Sequence, residues 1–337
     1  DGIHDLTAAA TDVAGNTGAA STALSVTVDT STPAVPGAPD LDAASDTGTA
    51  SDDDITSSTA LTVSGTAEAG STVTVTSDID GVVATTTADV TTGDWAVATS
   101  ALSDGIHSLT VTATDVAGNA SAASVALAVN VDTVAPTVVI DSLGTNDNTP
   151  PLTGTIDDPN AIISVIVDGQ TITATNAGTT WSIADGVLTA LADGTFDVSV
   201  TGTDVAGNVA TDATTNELVV DTTAPAAPGT PDLDAASDTG TASDDDITNI
   251  TTPTVIGTAE PNSTVDLLSA GSVLGTATAD SGGNWSIVSS ALTEGDHSLT
   301  VRQTDQFGNG PSPESASVTI LSLIHISEPT RRPPISY

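Results

Sequence analysis

The stretch LTVTATDVAGN, residues 109–119, contains the two patterns that decide the fold of this chain. Its first half alternates apolar residues with threonine, which is the two-residue period of a half-buried β-strand. Its second half, TDVAGN, ends the strand and recurs at 11–16 and 203–208, with the variant TDQFGN at 304–309. The copies lie roughly 90 to 103 residues apart. The sequence therefore predicts one small domain repeated in tandem.

The repeat spacing also sets the expected domain boundaries. Residues 1–31 are the strand F and G part of a truncated repeat, and full repeats follow at 32–132, 133–221 and 222–320. Each full repeat holds about seven short strands rich in threonine and valine, without the apolar stripe of a helix. This pattern predicts an all-β fold of tandem immunoglobulin-like Greek-key β-sandwiches in an extended array.

One tryptophan occurs in an equivalent strand of each full repeat. We expect Trp95, Trp181 and Trp285 to anchor the three cores rather than to form sugar-stacking platforms. A ring also follows the next turn in every repeat, and phenylalanine substitutes for histidine there. The position therefore requires a ring, and we expect neither a catalytic nor a metal role for it. These ring residues are His4, His107, Phe196 and His297.

The last segment, residues 321–337, differs from every repeat before it. It reads LSLIHISEPTRRPPISY, contains two of the three basic residues and the only tyrosine, and lacks the VDT that ends the other repeats. We interpret it as translated sequencing-library adapter, a non-native tail, and expect it to be disordered and dispensable. The strand at 316–320 is then expected to complete the third sandwich.

The charge of the chain limits its partners. There are 44 acidic residues against three basic ones, which gives a formal net charge of −41. Without a lysine or arginine cluster to neutralise phosphates, nucleic acid and anionic membrane surfaces are excluded. Cations are the expected partners, because carboxylates at this density repel one another unless an ion screens or bridges them. Cysteine is absent, which excludes disulfides, thiolate metal sites and thiol catalysis.

Two further classes, membrane-spanning proteins and enzymes, do not fit the sequence. No apolar run approaches the ~20 residues that a spanning helix needs, so no membrane insertion is expected here. Paired carboxylates can hydrolyse glycosides, but these acids lie in repeating loops without an aromatic cleft, so we expect no enzyme. Because the chain starts inside a repeat, at Asp1, any signal peptide and further domains are expected to lie outside it.

Several phrases carry a family resemblance: DGIHSLTVTATDVAGN at 104–119, VDTTAP at 220–225, GTAEPNSTV at 257–265, GNWS at 283–286, and DLDAASDTG. They resemble bacterial immunoglobulin-like (Big) repeats of giant, type I secreted RTX-type surface adhesins and biofilm-associated proteins. The resemblance implies an extracellular stalk segment at the bacterial cell surface that supports adhesion or biofilm formation. It also implies Ca²⁺ at the repeat junctions and adjacent repeats as partners. A host or surface ligand would be bound by domains outside this segment.

Topology indicates where such ions would lie. In an immunoglobulin-like sandwich the chain enters at the end carrying the B–C and F–G loops and leaves at the opposite end. A linker aspartate from VDT, an acid in the loop after GTAE or GTIDD, and the acid and amide of the next TDxxGN turn should therefore converge. The predicted ligands are Asp29, Glu68, Asp115 and Asn119; Asp132, Asp157 or Asp158, Asp204 and Asn208; and Asp221, Glu260, Asp305 and Asn309.

The chemistry of these ligands favours calcium. Calcium takes six to eight oxygens, which carboxylates, asparagine, backbone carbonyls and water can supply. Zinc and copper would need ligands that this chain lacks, and magnesium fits less well because its octahedron keeps several waters. An alternative stays open, in which the aspartate of DxxG only caps an ordinary type I turn.

The acidic string DLDAASDTGTASDDDIT, at 40–56 and again at 232–248, is a further candidate for an ion. Its spacing is not that of an EF-hand loop, and it lacks the bidentate glutamate. A solvated acidic loop is the alternative. The candidate ligands are Asp40, Asp42, Asp46 and Asp54, with Asp232, Asp234, Asp238 and Asp246 in the copy.

The sequence therefore predicts a calcium-rigidified stalk segment of a surface adhesin. The alternative is a glycan-binding Ig-like module of a secreted protein. That alternative would need exposed aromatic residues or long variable loops, which the sequence does not show.

Overall fold

The structure, a computed structural model, describes residues 1–242 and 244–323. Every regular element in these residues is a β-strand, as the alternation of apolar residues with threonine and serine predicts. The described part of the chain contains no helix, and hence none that could cross a membrane.

The N-terminal segment contains two strands, β1 (Gly2–Leu6) and β2 (Leu24–Val28), which pair antiparallel. All side chains of this hairpin are exposed, because no second sheet of the described chain covers it. Gly2 lies opposite Val28, and the same register recurs in the last hairpin of each full repeat. The two strands are thus the F and G strands of a repeat.

The first full repeat is a sandwich of two sheets. Its strands are β3 (Asp40–Leu41), β4 (Ile55–Thr56), β5 (Thr62–Thr66), β6 (Thr72–Ser77), β7 (Gly81–Thr87), β8 (Asp94–Ala98), β9 (Gly105–Thr114) and β10 (Leu127–Val131). One sheet has the order β3-β5-β8 and the other β4-β10-β9-β6-β7. β4 runs parallel to β10, and all other neighbours are antiparallel. Strands β3 and β4 are two halves of one edge strand, joined by the acidic loop, so the sandwich has seven strands.

The second full repeat has the same architecture in shorter pieces. Its strands are β11 (Val138–Ile140), β12 (Leu143–Thr145), β13 (Leu152–Ile156), β14 (Ile162–Val167), β15 (Gln170–Thr173), β16 (Thr175–Asn176), β17 (Thr180–Ile183), β18 (Gly194–Phe196), β19 (Val198–Thr203), β20 (Val209–Asp212) and β21 (Leu218–Val220). The sheet orders are β11-β13-β17-β16, β12-β21-β18 and β15-β14-β19-β20. A break at Asp197 divides strand F into β18 and β19.

The third full repeat returns to the pattern of the first. Its strands are β22 (Asp232–Leu233), β23 (Ile247–Thr248), β24 (Thr254–Thr258), β25 (Thr264–Ser269), β26 (Ser272–Thr278), β27 (Asn284–Val288), β28 (Gly295–Thr304) and β29 (Val318–Ser322). The sheet orders are β22-β24-β27 and β23-β29-β28-β25-β26. These orders match the first repeat strand for strand, as the shared acidic string suggests.

Each full repeat has its own hydrophobic core between its sheets. Trp95, Trp181 and Trp285 are only 5 %, 1 % and 4 % exposed, so the prediction that they anchor the cores is confirmed. The apolar positions of each strand alternate inward, and threonine and serine face out. The fold class predicted from the sequence, tandem immunoglobulin-like sandwiches, is confirmed.

The predicted ring positions are equivalent in the structure. The ring residues His4, His107, Phe196 and His297 lie opposite Val26, Val129, Leu218 and Ile320 in the last strand of their repeats. The His107 ring is buried, with Nε2 donating to the Ser103 carbonyl at 2.7 Å and Nδ1 2.9 Å from the Ser77 hydroxyl. Both ring nitrogens therefore serve the fold.

The predicted end of the last strand at Ile320 is wrong by two residues, whereas the adapter origin of residues 321–337 stays a prediction. β29 continues through Ser322, whose backbone lies opposite Gly295 and Thr248, and Leu323 N–H donates to the Thr248 carbonyl. β29 continues through Leu321 and Ser322 because strand pairing is made by backbone groups, and successive side chains simply point to alternate faces of the sheet. Residues 324–337 lie outside the described residues, so disorder there stays a prediction.

Candidate functional sites at the repeat junctions

The TDxxGN turns close on themselves through their aspartate and asparagine. In the second repeat, Asp204 Oδ1 accepts the Asn208 backbone N–H at 2.8 Å, and Oδ2 accepts the Asn208 side-chain amide at 2.8 Å. Gly207 adopts a φ of +91° in this turn, which favours glycine. The same bonds close the turns at Asp12 and Asn16, Asp115 and Asn119, and Asp305 and Asn309. The locally bonded turn that the sequence left open is thus present in every copy.

In two of the turns these bonds favour the ionised aspartate. The hydrogen bond from the Asn119 side chain is the main cause that holds the pKa of Asp115 below its ordinary value. The Asn16 side chain lowers the pKa of Asp12 in the same way. These two turns therefore present a charged carboxylate at neutral pH.

The turn asparagine of each full repeat also reaches the linker that precedes its repeat. Asn208 Nδ2 donates to the backbone carbonyl of Asp132 at 2.8 Å, in addition to its bond within the turn. Equivalent bonds join Asn119 to Asp29 at 3.1 Å and Asn309 to Asp221 at 2.6 Å. One side chain thus bridges its turn and the linker at all three junctions.

The preceding repeat holds the linker from the other side. Asp104 Oδ1 accepts the Thr133 hydroxyl at 2.8 Å and the Thr133 N–H at 3.2 Å. Equivalent pairs are Asp193 with Thr222 and Asp1 with Thr30. These aspartates, each directly before the first residue of strand F, are absent from the ligands predicted from the sequence. The signal that could have identified them is their constant separation of 29 residues from the linker threonine.

The side chains of the VDT aspartates fold back on their own linker. Asp132 Oδ1 accepts the Val134 N–H at 3.0 Å, and the matching acceptances are Ser31 N–H by Asp29 and Thr223 N–H by Asp221. The inter-repeat bond therefore goes to the backbone carbonyl of these residues rather than to their carboxylates. At Asp132, the inter-repeat bond uses the backbone carbonyl and the Val134 N–H uses Oδ1, so neither bond occupies the second carboxylate oxygen, Oδ2.

Three of the predicted ligand residues line a common cleft at the second junction. Asp132, Asp158 and Asp204 line one cleft of about 320 Å³. Asp157 is committed elsewhere, because its Oδ1 accepts the Thr137 N–H at 2.6 Å. Of the two alternatives that the sequence left open, the structure therefore brings Asp158 to the junction.

The other junctions gather fewer acids. Glu68 and Glu260 are exposed, and in the described residues neither carboxylate hydrogen-bonds to the linker. Across residues 1–242 and 244–323, no three Asp, Glu or His side chains lie close enough together to hold an ion by themselves. At every junction the linker and the turn of the next repeat are in contact. The contact joins a backbone carbonyl of the linker to the side-chain amide of the turn asparagine, and does not bring three carboxylates together.

This donor set fits calcium only in part. At the second junction the Asn208 amide N–H₂ lies between the Asp132 carbonyl and Asp204 Oδ2, where a cation would otherwise bridge two oxygens. For a cation at that position, Asn208 could ligate through its oxygen only if the amide turned over and lost both hydrogen bonds. Carbonyl oxygens, the cleft carboxylates and water would supply the remaining ligands. Metal binding at these residues stays a prediction.

The acidic string is a structured loop with crowded carboxylates. Asp42 caps a turn through the Ala44 N–H at 2.9 Å, and Asp46 Oδ2 accepts the Asp54 N–H at 3.3 Å. Asp46 is 7 % exposed, and its buried Oδ1 has no hydrogen-bond partner in the part of the chain that the structure describes. Burial first, and then the charges of Asp46, Asp40 and Asp53, raise the pKa of Asp54. A cation would relieve this repulsion.

The copy of the string repeats this arrangement. Asp238 Oδ2 accepts the Asp246 N–H at 3.3 Å, and Asp238 Oδ1 is again buried, with no hydrogen-bond partner among residues 1–242 and 244–323. Burial, followed by the charges of Asp232 and Asp238, raises the pKa of Asp246. Asp234 caps the same turn as Asp42 through the Ala236 N–H.

Fold and junction geometry together define a chain of immunoglobulin-like modules joined by bonded linkers. The family model described as "Bacterial Ig-like domain" matches residues 32–133, 141–222 and 224–320. This chain therefore belongs to the bacterial Ig-like domain family. No curated protein matches the sequence.

Several solved structures are similar to the chain. One is of a 1.5-MDa bacterial ice-binding adhesin, with 24% identity, coverage of 87% of this chain and 98% of that chain, and a TM-score of 0.39. Another is a tetra-tandem repeat from the extending region of a large adhesion protein, with 22% identity, coverage of 96% and 82%, and a TM-score of 0.32. Fibronectin(III)-like modules of CbhA from Clostridium thermocellum show 17% identity, coverage of 58% and 100%, and a TM-score of 0.33. These likenesses by themselves carry no conclusion about function.

Proposed function

We propose that this chain is a structural stalk segment of a bacterial cell-surface adhesin, which works outside the cell and supports adhesion or biofilm formation. The observation that carries the proposal is a two-sided linker clamp. The clamp consists of the aspartate–threonine bonds to the preceding repeat and the asparagine–carbonyl bond to the following one, as in Asp104–Thr133 and Asn208–Asp132. It recurs at all three junctions.

The clamp restricts bending between adjacent repeats, and a stalk requires such stiffness. Domains joined by a short linker normally move relative to one another unless their interface is large. Each hydrogen bond of the clamp contributes only about 0.5–1.5 kcal/mol. Two or more such bonds on one linker still bias it toward a single conformation. A module that only had to fold would not need its linker bonded on both sides.

Calcium rigidification is the second part of the proposal. The charge of −41 makes adjacent repeats repel one another, and a divalent cation at a junction would offset that repulsion. Asp132, Asp158 and Asp204 would hold it at the second junction. Asp46 and Asp54, with their copies Asp238 and Asp246, are the residues that we expect to hold an ion within the acidic string.

The alternative of a glycan-binding module has no support in the described residues. Sugar-stacking platforms need exposed aromatic faces, whereas all three tryptophans are buried in the cores. The family is one of structural sandwiches, and the junction geometry provides bonding between repeats rather than an apolar cleft for a sugar. We therefore propose no second function.

The clamp is tested by removing it at one junction. The double variant Thr133→Val and Asn208→Ala deletes the Thr133 hydroxyl bond and the Asn208 bond at the second junction and keeps only the Thr133 N–H bond to Asp104. A matched control, Thr201→Val and Asn16→Ala, makes the same changes away from that linker. We expect the first variant to broaden the distribution of dimensions in small-angle scattering and the control to leave it unchanged. An unchanged distribution for the junction variant would contradict the clamp.

Calcium is tested separately, on the unmodified chain. Scattering and thermal melting are measured with chelator and across millimolar calcium, with magnesium as the control cation. We expect calcium to narrow the distribution of dimensions and raise the melting temperature. No response to calcium would remove the calcium part of the proposal, while the variants above still decide the clamp.

A further inference from the structure

One end of the first repeat forms a socket for the turn of the second repeat. We define the socket as Thr47, Gly48, Thr49 and Ile55, all within the acidic string region. The Thr49 N–H donates to the Val205 carbonyl at 3.0 Å, and the Thr47 hydroxyl donates to the Ala206 carbonyl at 3.3 Å. Ile55, Val205 and Ala206 line one cleft. The acidic string therefore supplies a binding surface as well as charge.

The two glycines of this contact permit the close approach of the two backbones. A methyl group on Gly48 would lie 2.6 Å from the Val205 carbonyl oxygen. A methyl group on Gly207 would lie 2.7 Å from the Thr47 carbonyl oxygen. Neither acceptor can move without breaking the contact, so both positions require glycine.

Burial of the turn reflects this docking. Ala206 is 1 % exposed, whereas Ala117, at the same position of the first repeat's turn, is exposed. Residues 1–31 contain no acidic string, so no socket of this kind lies beside the Ala117 turn in this sequence.

The third repeat's turn docks on the second repeat with different side chains. A methyl group on Gly144 would lie 2.7 Å from the ring of Phe307, so the ring covers the backbone of β12. Asn146 lies beside Gly308 in the same contact. The asparagine clamp is retained, since Asn309 still bonds the Asp221 carbonyl.

The side chains of the two contacts exchange sizes. Ile55 and Gly144 are equivalent, since each precedes the threonine that pairs with the end of its last strand, Thr56 with Val131 and Thr145 with Val220. Ala206 and Phe307 are both the fourth residue of their hexapeptides. A large socket residue thus meets a small turn residue, and a small socket residue meets a large one. Such complementarity discriminates between partners by steric clash on one side and by a cavity on the other.

The third repeat has a socket of the first type. Its string is identical to that of the first repeat, and Thr239, Gly240, Thr241, Ile247, Thr248 and Leu323 border a mainly apolar cleft of about 340 Å³. Here the loop bonds inward, with the Gly240 N–H donating to the Ile247 carbonyl at 3.0 Å. In the first repeat the corresponding loop donates outward, from Thr49 to the docked turn.

We propose that this cleft binds the TDVAGN-type turn of another bacterial Ig-like repeat, with alanine and not phenylalanine at its fourth position. Ile247 leaves room for a methyl group and clashes with a ring, as Ile55 does in the first repeat. The size exchange then determines which repeats can follow one another in the chain. This pairing rule does not depend on calcium at the junctions.

The size exchange is tested first within the existing chain. Hydrogen exchange of the Thr49 amide reports docking directly, because its acceptor is the Val205 carbonyl. We expect Ala206→Phe to accelerate this exchange roughly tenfold or more, and the added change Ile55→Gly to restore it. The control Ala117→Phe should have no effect on Thr49, and Val200 in β19 reports whether the second repeat stays folded. Acceleration that Ile55→Gly does not reverse, or no acceleration with Val200 still protected, overturns the proposal.

The proposed socket of the third repeat is tested by attaching a further repeat to the end of the chain. Residues 324–337 are replaced by a second copy of residues 133–222, in one version with the copied alanine and in another with phenylalanine at its fourth turn position. We expect the alanine version to slow exchange of the Thr241 amide roughly tenfold or more, and the phenylalanine version to leave it unchanged. Equal protection by both versions, or protection by neither, shows that the cleft is not a selective socket.

Discussion

Gly154 lies directly opposite Trp181 in the pairing of β13 with β17, and a methyl group at Gly154 would lie 2.6 Å from the indole. The same cross-strand pair joins Gly65 with Trp95 and Gly257 with Trp285. Each indole therefore packs against the backbone of the neighbouring strand, in space that a side chain would occupy. The glycine of the GTAE and GTID phrases is part of the core for this reason.

Gly154→Ala should destabilise the second repeat by about 1–3 kcal/mol, which is typical of overpacking in a tight core. The new methyl group would also lie 2.0 Å from the Val139 carbonyl oxygen, so the backbone has to move. Native-state hydrogen exchange measures this for each repeat separately. The first and third repeats serve as internal controls. Unchanged protection of β13 and β14 would contradict the packing argument.

The three tryptophans should differ in their tolerance of phenylalanine. Trp181 Nε1 donates to the Val139 carbonyl at 3.0 Å, whereas the buried Nε1 atoms of Trp95 and Trp285 have no partner within the described residues. Trp181→Phe should therefore cost about 1 kcal/mol more than Trp95→Phe or Trp285→Phe. Hydrogen exchange in the affected repeat gives each value. Equal costs at the three sites would show that the Trp181 bond adds nothing.

Ser322→Val should stabilise the third repeat by about 1–3 kcal/mol, because a buried hydroxyl without a partner is removed. Ser322 is fully buried, and its Oγ has no hydrogen-bond partner in the described residues. Valine already occupies the equivalent positions Val131 and Val220. The reciprocal control, Val131→Ser, should destabilise the first repeat. Chemical denaturation checks both, and a neutral or destabilising Ser322→Val would refute the prediction.

Asp54→Asn should stabilise the first repeat at neutral pH, by less than about 1 kcal/mol because the site is partly exposed to solvent. Burial and three neighbouring acids raise the pKa of Asp54, so the charged form is disfavoured in the folded state. That penalty is present above the folded pKa and disappears as the pH falls through it toward the unfolded value of about 3.9. Asparagine also suits the φ of 58° at this position.

Two conditions, pH and calcium concentration, test whether charge repulsion causes the effect of Asp54→Asn. The advantage of Asp54→Asn over the parent chain, measured by melting in chelator, should shrink as the pH is lowered toward about 4. Asp246→Asn should behave alike in the third repeat. An advantage that persisted unchanged at acid pH would mean that charge repulsion is not its cause. If Asp46 and Asp54 hold calcium, adding the ion should turn the same substitution into a destabilising one.

The local features of this protein followed from the sequence. The two-residue alternation predicted the strands, the recurring TDxxGN predicted the repeats, and one tryptophan per repeat predicted the three cores. The strands, the repeats and the cores depend on residues that are close together in the chain or on which side chains become buried. A sequence pattern shows both. The end of the last strand was misplaced at Ile320 because Leu321 and Ser322 do not resemble the other repeats. Backbone pairing nevertheless continued through them.

Tertiary structure alone decided what holds one repeat to the next. The acceptors at the junctions are backbone carbonyls such as those of Asp132 and Val205, which every residue possesses and no motif can identify. Asp158 rather than Asp157 lines the junction cleft, and the Asp157 carboxylate instead accepts the Thr137 N–H, a long-range partner that the sequence does not reveal. The match of Ala206 with Ile55, and of Phe307 with Gly144, depends on surfaces that meet only after two separately folded sandwiches dock. The periodic sequence pattern determines the fold of each repeat, whereas contacts between residues far apart in the chain determine how adjacent repeats are joined.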